Sequence, residues 1–140
     1  MKIAVVDGLG GGLGSQIIKT LDSQLSNSVE LLALGTNSAA TAKMIKKGAD
    51  KGATGENAIR VTVQKVDIIV GPLGVIIPNS MLGEVTPVIA EAIANSPAKR
   101  ILLRIKQPHV ELVGIKEDLS MNDLIGELTE KVKVYIKNRE

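Results

Sequence analysis

Residues 7–15 read DGLGGGLGS, and five of these nine residues are glycine. The stretch directly follows IAVV at residues 3–6. Glycine loses the most backbone entropy on folding, so a glycine cluster indicates a tight turn, a positive φ or a close approach of the backbone to another group. From position 15, apolar residues recur at helical spacing up to position 25. The pattern predicts a buried strand, a glycine turn (residues 8–14) and an amphipathic helix.

Further apolar runs with the character of buried strands lie downstream, at residues 29–34, 67–72 and 101–105. The first is followed by an alanine-rich helix that Gly48 ends, and the second by a helix with Thr86 as its N-cap and Pro87 at its first position. Between these units, residues 52–55 read as a break. Residues 56–66 fit either an edge strand or a helical face, and we favour the helix.

The last apolar run, residues 110–115, follows the fourth strand after only four residues, 106–109. A parallel return needs a crossover of a dozen or more residues, so these two strands are predicted to form an antiparallel hairpin. Ser120 and Asp123 form a capping-box pattern at the start of a long C-terminal helix.

Strands that alternate with helices predict a three-layer, Rossmann-like α/β fold, and the length fits one domain over residues 1–140. We expect a mostly parallel sheet of order 2-1-3-4 with the fifth strand as an antiparallel edge. In such sheets ligands bind at the carboxyl ends of the strands where the winding reverses, here between the first and third strands.

Composition excludes several functional classes. The chain carries a formal net charge of +2, a single tyrosine, no other aromatic residue and no cysteine. Base stacking on aromatic rings is therefore not available, and nucleic acid is not expected as a partner. A zinc site is not expected with one histidine, whereas carboxylate-bound Mg²⁺ stays open. No apolar run approaches the roughly 20 residues of a membrane helix, so we expect a cytoplasmic protein with no membrane partner.

A glycine turn between a strand and a helix presents free N–H groups at the positive end of the helix, which favours phosphate or carboxylate. The spacing of Gly8, Gly12 and Gly14 resembles the cofactor turn of short-chain dehydrogenases. Other polar residues are expected at the same edge of the sheet. The candidate ligand-binding residues are Asp7, Gly8, Gly10, Gly11, Gly12, Leu13, Gly14, Thr36, Asn37, Ser38, Gly71, Pro72, Asn79 and Ser80.

The departures from that dehydrogenase pattern are specific. The place about 20 residues past the turn, where an acidic residue contacts the ribose in NAD-binding domains, holds residues 35–38, GTNS. The catalytic Tyr-x-x-x-Lys pair is absent, since the only tyrosine is Tyr135 and Arg139 stands four positions later. The turn also lacks the lysine of a P-loop. Asp7 either caps its own turn or takes part in ligand or metal binding.

The segment 71–83, GPLGVIIPNSMLG, is unusually apolar for a connection. It is either a short buried element of the core or a surface covered by a second copy of the chain, which would form a homodimer.

The stretches VDGLGGGLG, ALGTNSAAT, GATGEN and DIIVGPLGVIIPNSMLGE together resemble a small bacterial family known as domain of unknown function 3842. The resemblance implies no activity, cofactor or partner. Three hypotheses stay open. The first is a sensor or regulatory module that binds a nucleotide, a dinucleotide phosphate or another small anionic ligand. The second is an enzyme on a small anionic substrate that uses Asp7 or Glu84, with or without Mg²⁺. The third is a homo-oligomeric assembly protein without a ligand.

Overall fold

The structure, a computed structural model, describes residues 1–104, 110–116 and 118–140. Its strands are β1 (Lys2–Asp7), β2 (Glu30–Gly35), β3 (Lys51–Thr54), β4 (Ile68–Pro72) and β5 (Lys99–Leu103). Its helices are α1 (Gly12–Gln24), α2 (Ser38–Lys46), α3 (Glu56–Thr62), α4 (Pro87–Ala94) and α5 (Met121–Asn138), with one turn of 3₁₀ helix at Leu73–Ile76.

The five strands form one parallel sheet of order β3-β2-β1-β4-β5. The central strand β1 alternates its buried side chains between two cores. Ile3 and Val5 pack in the core formed with α1, α2 and α5, whereas Ala4 and Val6 pack with α3 and α4. The predicted three-layer α/β architecture is therefore confirmed. The four strands that the sequence analysis identified lie in the predicted order, with the winding reversal between β1 and β4.

The sheet contains a strand that the sequence analysis missed, because β3 lies where a break was predicted. Its sequence, KGAT, has no apolar run, and none of its residues is fully buried. The strand pairs with β2 at one edge of the sheet. At Gly52 a Cβ would lie 2.8 Å from Thr41 Cγ2, so this glycine allows α2 to pack closely on β3.

The predicted antiparallel edge strand at residues 110–115 was wrong. Val110 forms an isolated bridge, and residues 111–116 form no strand. The apolar side chains of this segment, Val113 above all, are exposed and have no core to pack against. The predicted turn at residues 106–109, with His109, and the end of the fourth strand at Ile105 lie outside the described residues.

The predicted helices are confirmed, with one shift of a boundary. α1 begins at Gly12, so Gly12 and Gly14 belong to its first turn rather than to a loop before it. Residues 56–62 are helical, as favoured, and the capping box of Ser120 and Asp123 starts α5. None of the helices in the described part of the chain is long and apolar enough to cross a membrane.

Candidate functional site

The glycine turn lies at the carboxyl edge of the sheet, between β1 and α1. The N–H of Gly11 donates to the carbonyl oxygen of Gly8 at 2.9 Å, which closes the turn before α1 begins. Leu9 has a φ of 51° and Gly11 a φ of 73°. Left-handed backbone is costly for a residue with a Cβ, so the conformation explains a glycine at position 11 and strains Leu9.

Close packing explains two more of the five glycines. A Cβ at Gly8 would lie 2.5 Å from Thr36 Oγ1, and a Cβ at Gly14 would lie 2.7 Å from both Asp7 Cβ and Met44 Sδ. These distances are too short for real Cβ atoms. Gly8 and Gly14 therefore let the neighbouring elements approach the turn.

The remaining two glycines face open space. A Cβ at Gly10 would meet nothing within 4 Å, and a Cβ at Gly12 would meet only Lys43 Nζ, at 3.9 Å. The N–H groups of Gly12 and Leu13 donate to no acceptor among the residues that the structure describes. The positive end of α1 and the Lys43 amino group thus lie beside an open surface at Gly12.

Asp7, the last residue of β1, is buried beneath the turn and only 5% exposed. Its Oδ2 accepts the N–H of Gly14 at 2.6 Å, so it caps the first turn of α1. Burial raises the pKa of the Asp7 carboxyl above its usual value, and the nearby charge of Glu84 adds to the rise. The N–H groups of Gly14 and Gly8 oppose it.

Glu84 joins three parts of the carboxyl edge through one oxygen. Its Oε1 accepts the N–H of Leu9 at 2.9 Å, the hydroxyl of Thr36 at 2.6 Å and the amide of Asn37 at 2.8 Å. The hydrogen bond from Thr36, followed by that from Leu9, holds the pKa of the Glu84 carboxyl below its usual range. The side chain is partly exposed, and it remains ionised at neutral pH.

Asn37 completes this network. Its Oδ1 accepts the N–H of Ala40 at 2.9 Å as the N-cap of α2, and its Nδ2 also donates to the carbonyl oxygen of Leu9 at 2.8 Å. The glycine turn is thereby fixed to the start of α2 as well as to Glu84.

The structure brings together only some of the candidate residues from the sequence. Thr36, Asn37 and the glycine turn are in contact, with Asp7 beneath them. The β4–α4 connection (residues 73–86) is instead closed partly on itself, because Asn79 N–H donates to Val85 O and Ser80 Oγ to Gly74 O. Ser38 begins α2, and Gly71 and Pro72 are buried at the end of β4.

Two residues near the turn were given no place among the candidates: Leu9 and Met81. Leu9 belongs to the quoted stretch, but only the fold reveals its bond to Glu84. Met81 Sδ would lie 2.9 Å from a Cβ at Gly8. Leu9 and Met81 are apolar and carry no polar signal, so the sequence could not distinguish them.

Surface grooves also lie away from the turn. One of about 720 Å³ runs along β5 and α5, where Arg100 and Tyr135 line it. A ligand at the glycine turn would instead lie at the carboxyl ends of the strands, on an open surface. Within residues 1–104, 110–116 and 118–140, no group of three or more His, Cys, Asp or Glu side chains is placed to hold a metal ion.

A parallel sheet with helices on both faces, and a glycine turn where the winding reverses, defines a Rossmann-like α/β protein. The chain belongs to the family described as domain of unknown function (DUF3842), whose sequence model matches residues 2–137.

One similar solved structure is the dodecameric FMN-dependent UbiX-like decarboxylase from Escherichia coli O157:H7. The two chains are 13% identical with a TM-score of 0.52, and the match covers 98% of this chain and 95% of that one. At this identity the similarity shows the fold alone. No curated protein matches the chain.

Proposed function

We propose that this protein binds a phosphate-bearing small molecule of the nucleotide class at the glycine turn, as a sensor or regulatory module. The observation that carries the proposal is the open surface at Gly12. There the N–H groups of Gly12 and Leu13, which have no acceptor in the described part of the chain, lie at the positive end of α1 near the Lys43 amino group. Phosphate is the group that such a helix start favours.

Flavin mononucleotide is the first candidate ligand. The decarboxylase of similar fold is FMN-dependent by its description, and this chain has the same type of sheet. Because the identity is only 13%, the similarity selects a ligand to test and does not assign one. A Cβ at Gly10 would meet nothing within 4 Å and one at Gly12 would meet only Lys43 Nζ, so the surface at the start of α1 is open to a ligand.

No observation favours the enzymatic alternative over binding. Asp7 is buried and occupied by the N–H of Gly14, and Glu84 Oε1 already accepts three hydrogen bonds. Burial keeps Asp7 away from a substrate, and the lowered pKa of the Glu84 carboxyl makes it a weak general base.

A titration with FMN tests the proposal on a matched pair of charge reversals in α2. Lys43→Glu places a negative charge beside Gly12 and should weaken FMN binding at least tenfold, because charge-assisted hydrogen bonds contribute about 1.5–3 kcal/mol. Lys46→Glu changes the same net charge one turn along the helix, and its affinity should stay within about twofold of wild type. Isothermal titration calorimetry gives both dissociation constants. Equal losses in the two variants would contradict the proposal, and no FMN binding by the wild type would exclude FMN as the ligand.

A second candidate function, self-association, is favoured by Leu82 in the β4–α4 connection. This leucine is 96% exposed and has a φ of 56°, so it contributes little packing to its own chain in a backbone conformation that costs roughly 1 kcal/mol. A second copy of the chain would cover it. The similar decarboxylase is described as dodecameric.

The mass in solution tests the second candidate. The wild type should exceed the mass of one chain in light scattering at micromolar concentration, and Leu82→Asp should return it to that of one chain. Val113→Asp, at an equally exposed valine, is the control and should leave the mass unchanged. A monomeric wild type would exclude self-association at this concentration.

A further inference from the structure

An acidic side chain lies at the carboxyl end of β2, but it does not come from β2 or from the residues that directly follow this strand. Residues 35–38 read GTNS, with no carboxylate where a dinucleotide-binding sheet carries its ribose-binding acid. Thr36 and Asn37 nevertheless both donate to Glu84, which lies 48 and 47 residues further along the chain. The β4–α4 connection thus delivers to the end of β2 the carboxylate that the local sequence lacks.

We propose that Glu84 is a specificity-determining residue that selects a phosphate ester with vicinal hydroxyl groups, as in a ribose or ribityl phosphate. This inference rests on the proposed function, since it assumes that the phosphate binds at Gly12 and Lys43. It adds the chemical class of the group attached to that phosphate.

The hydrogen bonds of Glu84 leave one oxygen for a ligand. Oε1 is held by Leu9, Thr36 and Asn37, which belong to the glycine turn, the end of β2 and the cap of α2. Oε2 accepts no hydrogen bond from the part of the chain that the structure describes. Because the side chain is partly exposed, a hydroxyl group can reach this fixed, ionised acceptor.

The chain length between the two contact points suits a sugar phosphate. Glu84 binds the N–H of Leu9, and Gly12 is three residues further on. Three residues span at most about 11 Å even when extended, and here the hydrogen bond from Gly11 to Gly8 closes the turn and shortens that span. The two points are therefore close enough for one sugar phosphate to span the distance between them.

Charge determines which end of the ligand lies at each point. The Glu84 carboxylate repels a phosphate and accepts hydrogen bonds from hydroxyls, whereas the Lys43 amino group near Gly12 attracts the phosphate. The arrangement favours one orientation of a sugar phosphate. Inorganic phosphate has no attached hydroxyl group and gains no contact with Glu84.

The test compares ribose 5-phosphate, 2-deoxyribose 5-phosphate and inorganic phosphate on the full chain by NMR titration. Wild type should bind ribose 5-phosphate about tenfold more tightly than the deoxy sugar, the effect of one charge-assisted hydrogen bond. In Glu84→Gln the amide oxygen can keep the place of Oε1, and the amide nitrogen then replaces the free oxygen. This variant should bind the two sugars within about twofold of each other and keep its affinity for inorganic phosphate.

Three results would overturn the inference. If the wild type binds both sugars equally, it does not select for the hydroxyl group. This comparison uses the wild-type protein alone, so it does not depend on whether a variant folds. A Glu84→Gln protein that keeps the wild-type preference assigns the selection to another group, and one that loses all three ligands equally assigns Glu84 a structural role. If FMN binds in a Lys43-dependent manner while the sugars are not distinguished, the proposed function stands and only this inference fails. If wild type binds neither FMN nor any of the three probes, both fail.

Discussion

The five glycines of the turn form one cluster in the sequence, but each has its own structural function. Gly8 and Gly14 allow close packing, Gly11 supplies a positive φ, and Gly10 and Gly12 leave their side-chain positions open. The sequence predicted the turn, but it could not separate these functions. The atoms that decide them belong to Thr36, Ala40 and Met44, which other elements bring to the turn.

For the single residue Asp7, we predict how its contribution to the stability of the fold depends on pH. Its pKa is raised in the folded chain, so the folded state binds a proton more readily than the unfolded state does. The contribution of Asp7 to the stability of the fold should therefore rise as the pH falls through the raised pKa, and it should be least favourable at neutral pH, where Asp7 is charged.

Asp7→Asn removes the buried charge and leaves a carbonyl oxygen for the N–H of Gly14. At neutral pH the melting temperature should increase by a few degrees, since about 1 kcal/mol corresponds to roughly 4 °C in a domain of this size. The increase should shrink toward pH 4, as the wild-type carboxyl takes up its proton. Thermal unfolding across this pH range, with the exposed Asp118→Asn as control, checks it. A variant that is less stable than the wild type at neutral pH, by an amount that shrinks at low pH, would show that the charge itself stabilises the turn.

At the scale of elements, two helix caps differ in whether their hydrogen bonds stay within one helix or reach other parts of the chain. Ser120 and Asp123 form a capping box within α5, and the sequence alone revealed it because all its atoms lie within four residues. Asn37 caps α2 and also donates to Leu9 and Glu84. The second set of bonds depends on the placement of two distant loops, so no local pattern predicts it.

Alanine at each cap should separate the two cases. Ser120→Ala should cost about 1 kcal/mol, the usual loss for a helix N-cap. Asn37→Ala should cost about 2–3 kcal/mol, because it also removes donors to a carbonyl oxygen and a carboxylate. Urea unfolding gives both free energies. Equal losses would mean that the hydrogen bonds of Asn37 to the turn contribute nothing to stability.

At the scale of the whole molecule, apolar runs and crossover rules were enough to predict four strands, their order and the end of the sheet where the candidate site lies. They failed at the margins of the sheet. β3 is short and exposed and gives no hydrophobic signal, whereas residues 110–115 are apolar but form no strand beyond the isolated bridge at Val110.

The candidate site shows the same division. That Thr36 and Asn37 approach the glycine turn follows from parallel strands ending at one edge. The contact of Glu84 with all of them does not, because it depends on the path of the β4–α4 connection, in which Asn79, Met81 and Leu82 adopt positive φ values. Sequence patterns specify the backbone of strands better than that of irregular connections.

If the glycine turn binds a phosphate-bearing ligand, as we propose, native mass spectrometry should detect that ligand on the chain. Wild type and Lys43→Glu are recorded as purified from cells, and again with FMN and a panel of mono- and dinucleotides, with and without Mg²⁺. The wild type should carry one added mass of a phosphate-bearing compound per chain, and Lys43→Glu should show the polypeptide mass under the same conditions. The polypeptide mass alone for the wild type throughout the panel would contradict the claim.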